Sequence, residues 1–384
     1  MLLIKNGKIV TMTGVNYEKG SILIKDGKIV EISENINEPQ GAEVIDAENK
    51  WVLPGLIDAH CHLGMLEEDI GFEGNDLNES TDPITPQLRA IDGINPFDPA
   101  FDEAVKAGIT TVMSGPGSAN VIGGQFAVIK TKGVSIDEMV ILEPAAVKIA
   151  FGENPKRIYK GKNKMPMTRM GTAALLRETL TKAANYKNRK NAALAKGDNF
   201  DIDIRMEALM PVLDRKIPLK AHAHRTDDML TAVRIAKEFN VLLTLDHCTE
   251  GHIIIEQIKN SGVPTIFGPI MTFRGKVETK NRNYTTAKLL NDAGVKLAIM
   301  TDHPVIPIEY LPICAGLAVK SGLSIEEALK TITINAAEIL GISDRVGSIE
   351  KGKDADIAIY DGNPMDVYTD TLYTIIDGKI VYRR

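Results

Sequence analysis

The sequence predicts an α/β chain: a (β/α)8 TIM barrel over residues 53–346, with a small β-sandwich domain built from both termini, 1–52 and 347–384. Three observations predict it. Helix-like and strand-like segments alternate through the middle of the chain. A near-identical turn motif recurs at both ends. Histidines collect where the middle strands end.

The terminal motif is "IKNGKIV" (4–10), "IKDGKIV" (24–30) and "IIDGKIV" (375–381). Each sets an Asn-Gly or Asp-Gly pair between apolar stretches. Such pairs favour a type I′ turn, which needs positive φ at both central residues, so each copy reads as a hairpin. "ADIAIYD" (355–361) supplies a further strand. Isolated hairpins are marginal in water, which places both ends of the chain in one shared β-domain.

Between the ends, "FDEAVKAGITTVMSG", "MLTAVRIAKEFNVLLTLDHC", "IIIEQIKNSGVPTIFG" and "TAKLLNDAGVKLAIMTDH" each read helix, then turn, then strand. This alternation implies a parallel sheet with helical crossovers, and a span of this length fits a barrel with insertions. A doubly wound open sheet is the alternative. The final helix opens on a capping box, Ser324 to Glu327, and sets Ile325, Ala328, Leu329, Ile332, Ala336 and Ile339 on one apolar face. Residues 71–98 are polar and rich in Gly, Pro and Asp, either a lid or a long surface loop. Residues 156–205 are rich in Lys and Arg and read as a solvated helical insertion.

Of the 384 residues, 44% are hydrophobic and 25% charged, and the net charge is −6. The acidic balance argues against a nucleic-acid partner. No apolar run approaches the roughly 20 residues that span a bilayer. In "MLLIKNGKIV", Lys5 and Lys8 come too early for the apolar core of a signal peptide. Three scattered cysteines, Cys61, Cys248 and Cys314, suit a reducing compartment. The expectation is a cytoplasmic protein with a small-molecule substrate, no membrane contact, and room for a homo-oligomer.

Six of the seven histidines fall at the carboxyl ends of expected strands: His60, His62, His222, His224, His247 and His303. In a barrel that end carries the active site. In "DAHCH" (58–62), strand alternation turns His60 and His62 to one face and Cys61 to the other. His60 and His62 can thus converge on one ion, with His222, His247 and Asp302 as candidates to complete its shell. An imidazole nitrogen binds zinc at about 2.0–2.1 Å, so several strands must contribute.

The segments "VLPGLIDAHCHLG" (52–64), "GITTV" (108–112), "KAHAH" (220–224), "LDHCTE" (245–250), "MTDHP" (300–304) and "GSIEKGKDADIAIYD" (347–361) together resemble the amidohydrolase superfamily, near its imidazolonepropionase-related branch. The resemblance covers nearly the whole chain in the family's order. It implies a barrel with a β-domain assembled from both termini, and one or two divalent ions, zinc foremost, as cofactor. His60 and His62 resemble first-strand ligands, and His222 and His247 those of the fifth and sixth strands. Asp302 resembles a last-strand aspartate that is both ligand and proton shuttle. Lys148, as a carboxylated lysine, or Glu143 would bridge two ions, and Lys148 in "VKIA" fits better. With no bridge, a one-metal site would use His60, His62, His222 and Asp302, with His247 polarising the substrate.

The activity so implied is hydrolysis of a C–N bond, in a cyclic amide or dipeptide-like amide, by a metal-activated water. Deamination on the same scaffold, or a silent binding barrel, are the alternatives, and none of the expected ligand positions is missing. Arg157, Arg225 and Arg274 lie on loops after strands and are candidates to bind an anionic substrate group. His224 and His303 would support the ligands or serve structure, and His252 serves structure. Cys61 and Cys248 face outward and are not nucleophiles.

Overall fold

The computed structural model describes residues 1–68 and 70–384. Two eight-stranded sheets organise them. The first begins with β1 (Leu2–Val10), β2 (Asn16–Lys25), β3 (Lys28–Ser33), β4 (Glu43–Asp46) and β5 (Trp51–Pro54). The second holds β6 (Leu56–Cys61), β7 (Ile109–Ser114), β8 (Ile122–Lys130), β9 (Val140–Ala150), β10 (Leu219–Ala223), β11 (Leu243–His247), β12 (Thr265–Phe267) and β13 (Leu297–Ile299). The chain then returns to the first sheet with β14 (Ile357–Tyr360), β15 (Thr371–Ile376) and β16 (Lys379–Arg383), because β14 pairs antiparallel with β5. The expected sandwich is thus one hydrogen-bonded sheet. Leu2, Ile4, Ile22, Val52, Ile357 and Ile375 from both ends of the chain share its core.

Two of the three turn motifs make hairpins. Asp26-Gly27 and Asp377-Gly378 take positive φ at both positions and turn β2 into β3 and β15 into β16. The third does not: β1 runs straight through Asn6-Gly7. Asn6 has φ 59°, and the register against β2 shifts between Ile4 and Gly7. A Cβ at Gly7 would lie 2.5 Å from Val52 Cγ2, so this glycine lets β5 approach β1. A bulge and a tight turn both use positive φ, and the motif alone does not separate them.

A buried charge network ties this sheet to the barrel. Lys130 Nζ, on β8, lies 2.7 Å from Asp356 and 3.2 Å from Asp354, and Lys28 and Arg345 also reach Asp354. Deleting 347–384 would strip Lys130 of these carboxylates and leave β5 unpaired on that side. An uncompensated buried charge costs roughly 3–5 kcal/mol, and an open edge invites aggregation. The truncated protein is expected to be insoluble on expression. A soluble truncation with unchanged melting would contradict a shared sheet.

The second sheet curls into a nearly closed barrel. Parallel strands run from β9 to β13, and β6 pairs parallel with β7. Backbone bonds from Asp302 N to His60 O (3.2 Å) and from His62 N to His303 O (2.9 Å) bring the last strand to the first. Helices Ala100–Lys106, Thr226–Phe239, Ile255–Ser261 and Thr286–Asp292 each precede a strand, as their periodicity predicts. Strand β8 departs from the parallel pattern. It runs antiparallel to both β7 and β9, because residues 115–121 are too short for a crossover helix.

The expected final helix is two, Ile325–Thr331 and Ile334–Leu340. Ser324 Oγ caps the first by accepting the Glu327 N–H. The break falls where the Ile332 carbonyl leaves the helix to accept Ile57 N–H on β6. The lysine-rich insertion is mainly the helix Arg169–Lys196, which is not solvated all round. Leu176, Leu180 and Ala183 are buried, and the helix packs against Thr226–Phe239.

Candidate active site

The carboxyl ends of the barrel strands open into a cavity of about 730 Å³. His62, Lys148, His222, His224, His247 and Asp302 all line it. His60 lies just beneath, fully buried, with its ring 5.4 Å from Phe126. Phe126 comes from the antiparallel strand β8 and forms a floor under two cations, Lys148 Nζ at 5.3 Å and Lys220 Nζ at 5.6 Å from its ring.

The polar atoms fall into two groups that could hold a metal, His60, His62 and Asp302, and His222, His224 and His247. In the first, Asp302 Oδ1 lies 3.5 Å from His60 Nε2 and 3.3 Å from His62 Nε2. In the second, His222 Nδ1 lies 2.7 Å from His247 Nε2. Lys148 stands beside the first group, its Nζ 3.2 Å from His60 Nε2. His247 and Asp302 have φ 70° and 57°. That left-handed conformation is costly for residues other than glycine and clusters at functional sites.

Hydrogen bonds on the outer side of each ring decide where its proton sits. His62 Nδ1 faces the Gly115 carbonyl at 2.7 Å, and His247 Nδ1 faces the Gly268 carbonyl at 3.0 Å. A carbonyl only accepts, so both Nδ1 atoms carry the proton. His60 Nδ1 faces Asp246 Oδ2 at 2.6 Å, and Lys220 Nζ holds the same oxygen at 3.2 Å. The three Nε2 atoms therefore point inward, those of His60 and His62 toward the Asp302 carboxylate and that of His247 toward His222. Burial lowers the pKa of His60, His222 and His247 well below the usual histidine value, so these rings stay neutral. Neutral imidazoles and a carboxylate, oriented by outer partners, are the donor set of a divalent transition-metal centre.

Asp58, in the same motif as His60, clamps the first strand to the last. Its Oδ2 accepts Thr301 N–H and Oγ–H, and its Oδ1 accepts the His60 N–H at 3.1 Å. Burial raises its carboxyl to about 7. Burial also lowers the Lys148 ammonium to about 8.

The remaining expected residues divide. Arg157 lines the cavity. Arg225 does not: Asp227, two residues along, holds its guanidinium at 2.9 and 3.0 Å. Arg274 does not either, because it staples its own loop through the carbonyls of Lys280 and Arg282. Lys276 and Arg282 of that loop line the cavity instead. Glu143 lies near the start of β9, paired with Arg89 and outside both groups. Leu77 and Asn78 bring the 71–98 segment into the cavity wall.

His303 is buried, and neither ring nitrogen has a hydrogen-bond partner among the described residues. His252 Nδ1 meets Thr286 Oγ1, away from the cavity. Cys61 packs into the core, and burial raises its thiol far above the ordinary value. Cys248 is likewise buried, its thiol pushed up to about 12. Neither cysteine lines the cavity, and burial keeps both thiols protonated. Asp246, Lys220, Asp58 and Phe126 have no role in a reading by strand alternation. The signal for Lys220 and Asp246 is a charged residue inside each of two strands, "LKAHA" and "LTLDH", that are buried throughout.

Known proteins resemble this chain over nearly its whole length. The profile of the Amidohydrolase family matches residues 51–381. An amidohydrolase from Thermotoga maritima superposes over 100% of both chains, with a TM-score of 0.97 and 44% identity. Amidohydrolase tasK of Hapsidospora irregularis is 29% identical over 94% of this chain, which spans 39% of that protein's length. The imidazolonepropionase of Thermoplasma volcanium is 25% identical, over 96% of this chain and 92% of its own. The chain belongs to the amidohydrolase family and is a hydrolase acting on carbon–nitrogen bonds.

Proposed function

We propose that the chain hydrolyses an amide C–N bond in a small anionic substrate, a cyclic or dipeptide-like amide, with two zinc ions as cofactor. The observation that carries this is the convergence of three outward-protonated imidazoles, His222 and the Asp302 carboxylate at one end of the barrel. His60, His62 and Asp302 would hold one ion, and His222 and His247 the other. Lys148 stands next to His60 and would bridge them as a carboxylated lysine. Its lowered pKa favours this, because only the free amine reacts with carbon dioxide. A divalent ion held by these residues would lower the pKa of a coordinated water to about 7 and would polarise the amide carbonyl.

The chain's own part is to orient and to move a proton. The Asp302 carboxylate accepts the proton of the attacking water and passes it to the leaving nitrogen as the C–N bond breaks. Asp246 and Lys220 fix the ring of His60 while this happens. Arg157, Lys276 and Arg282 on the cavity wall supply charge for an anionic substrate group, and Leu66, Leu77 and Phe273 supply apolar surface.

A product assay over a library of N-acyl amino acids, dipeptides and cyclic amides tests this reading. Release of a carboxylate and an amine, with a lower KM for anionic members, is the expected outcome. Release of ammonia from aminated heterocycles would assign deamination instead. Replacing Arg282 by Met should raise KM for the anionic substrates by about 10- to 100-fold, the loss of one charged contact at roughly 1.5–3 kcal/mol.

A further inference from the structure

Among the ligand candidates, His222 is the one whose proton the surrounding bonds leave on the wrong nitrogen. His247 Nε2 is a bare acceptor, so His222 Nδ1 carries the proton across the 2.7 Å contact. His222 Nε2 is then the bare atom, and it faces the Asn154 amide Nδ2 at 3.5 Å. The amide cannot usefully turn round. Lys276 Nζ holds its Oδ1 at 3.0 Å, and Ser118 Oγ accepts from its Nδ2 at 2.8 Å. For His222 Nδ1 and His247 Nε2 to face one cation, the His222 proton must move to Nε2. There it meets a donor in Asn154 and needs an acceptor.

Glu278 has that acceptor. Its side chain is 2% exposed, and its Oε1 has no hydrogen-bond partner among the described residues. Oε1 lies 4.0 Å from His222 Nε2, 3.7 Å from His224 Nε2 and 3.9 Å from Lys276 Nζ. The other oxygen is anchored: Oε2 accepts the Glu153 N–H at 2.8 Å. The backbone makes room for it, since a Cβ at Gly152, φ +82°, would stand 2.6 Å from Oε2. A buried carboxylate oxygen without a hydrogen bond is expensive unless some state of the protein supplies one.

We infer that Glu278 is the positioning residue for the second ion. It accepts a hydrogen bond from His222 Nε2–H in the metal-loaded state and so fixes the tautomer that frees Nδ1. A shift of about 1 Å in the 277–279 turn brings the 4.0 Å separation to hydrogen-bond length. The same turn carries Lys276 and Thr279 at its edges, and both line the cavity. Loading of the second ion is thereby tied to the loop that closes one wall of the substrate cavity. This inference rests on the two-ion reading above.

Competition of the metal-depleted full-length protein with a colorimetric zinc chelator tests it. Wild-type protein should take up two ions in resolvable steps. Glu278→Gln, nearly isosteric, should bind the first ion as wild type does and the second about 10- to 100-fold more weakly, the usual cost of losing an outer partner of a ligand histidine. Adding Asn154→Asp to that variant supplies a carboxylate beside Nε2 and should restore much of the second step. Gly152→Ala, which pushes a methyl onto Oε2, should mimic Glu278→Gln by a separate route.

An unchanged second step in both Glu278→Gln and Gly152→Ala would overturn the inference while leaving the two-ion reading intact. So would an equal weakening of both steps with a lowered melting temperature in the metal-free protein, which marks a structural role. Wild-type protein that never takes a second ion would overturn the two-ion reading itself.

Discussion

Asp302→Asn is expected to keep most of its metal and to lose turnover by about 10²–10⁴-fold, the range of general acid–base contributions. The amide keeps the shape and one oxygen, so the ligand position is still filled. What it cannot do is take a proton from water. The side chain stands where both tasks meet, 3.5 Å from His60 Nε2 and 3.3 Å from His62 Nε2 on a residue held at φ 57°. Metal content and turnover should be measured on one preparation. Near-normal turnover in the metal-loaded Asp302→Asn protein would assign the proton to another group, with His247 and His303 the nearest alternatives.

His60→Ala or His62→Ala is expected to act on the metal first. Each removes one of three donors from the first group, and the bound metal should fall by at least one equivalent. Without that ion neither the water nor the carbonyl is activated, and turnover should fall by on the order of 10⁴-fold or more. His60→Ala carries an added cost. It leaves the fully buried Asp246 with Lys220 but without its imidazole partner at 2.6 Å. Its melting temperature should therefore drop further than that of His62→Ala, whose outer partner is a carbonyl. A His60→Ala protein with full metal and normal turnover would remove the first group from the mechanism.

Much of this site was legible in the sequence because strand alternation and barrel geometry act together. His60 and His62 sit two apart and so share a face. The expected strand ends carry His222, His247 and Asp302, and a closed barrel brings all its strand ends to one rim. Alternation alone cannot explain His247, because Asp246 beside it also points inward. The left-handed backbone at His247 and Cys248 bends the chain so that Asp246 and His247 both reach the centre. Local propensity does not announce that conformation at a histidine.

The misses share a cause. Asn6-Gly7 signals positive φ, but whether the chain turns or bulges is decided by the packing of Val52 against Gly7. The antiparallel β8 depends on the length of one connection. Arg225 and Arg274 follow strands as specificity residues do, yet Asp227 and the carbonyls of Lys280 and Arg282 hold their guanidinium groups. Glu278 lies in a polar loop, "GKVETK", with nothing local to distinguish it from a solvated acid. Its burial comes from residues more than a hundred positions away, at Gly152 and Glu153.

Metal content of the purified protein tests the account most directly. Elemental analysis of protein stripped with a chelator and then refilled with zinc should return about two equivalents per chain, with hydrolysis appearing as the metal is restored. Protein that takes up no divalent ion, and whose activity does not respond to one, would contradict a metal-dependent centre at the end of this barrel.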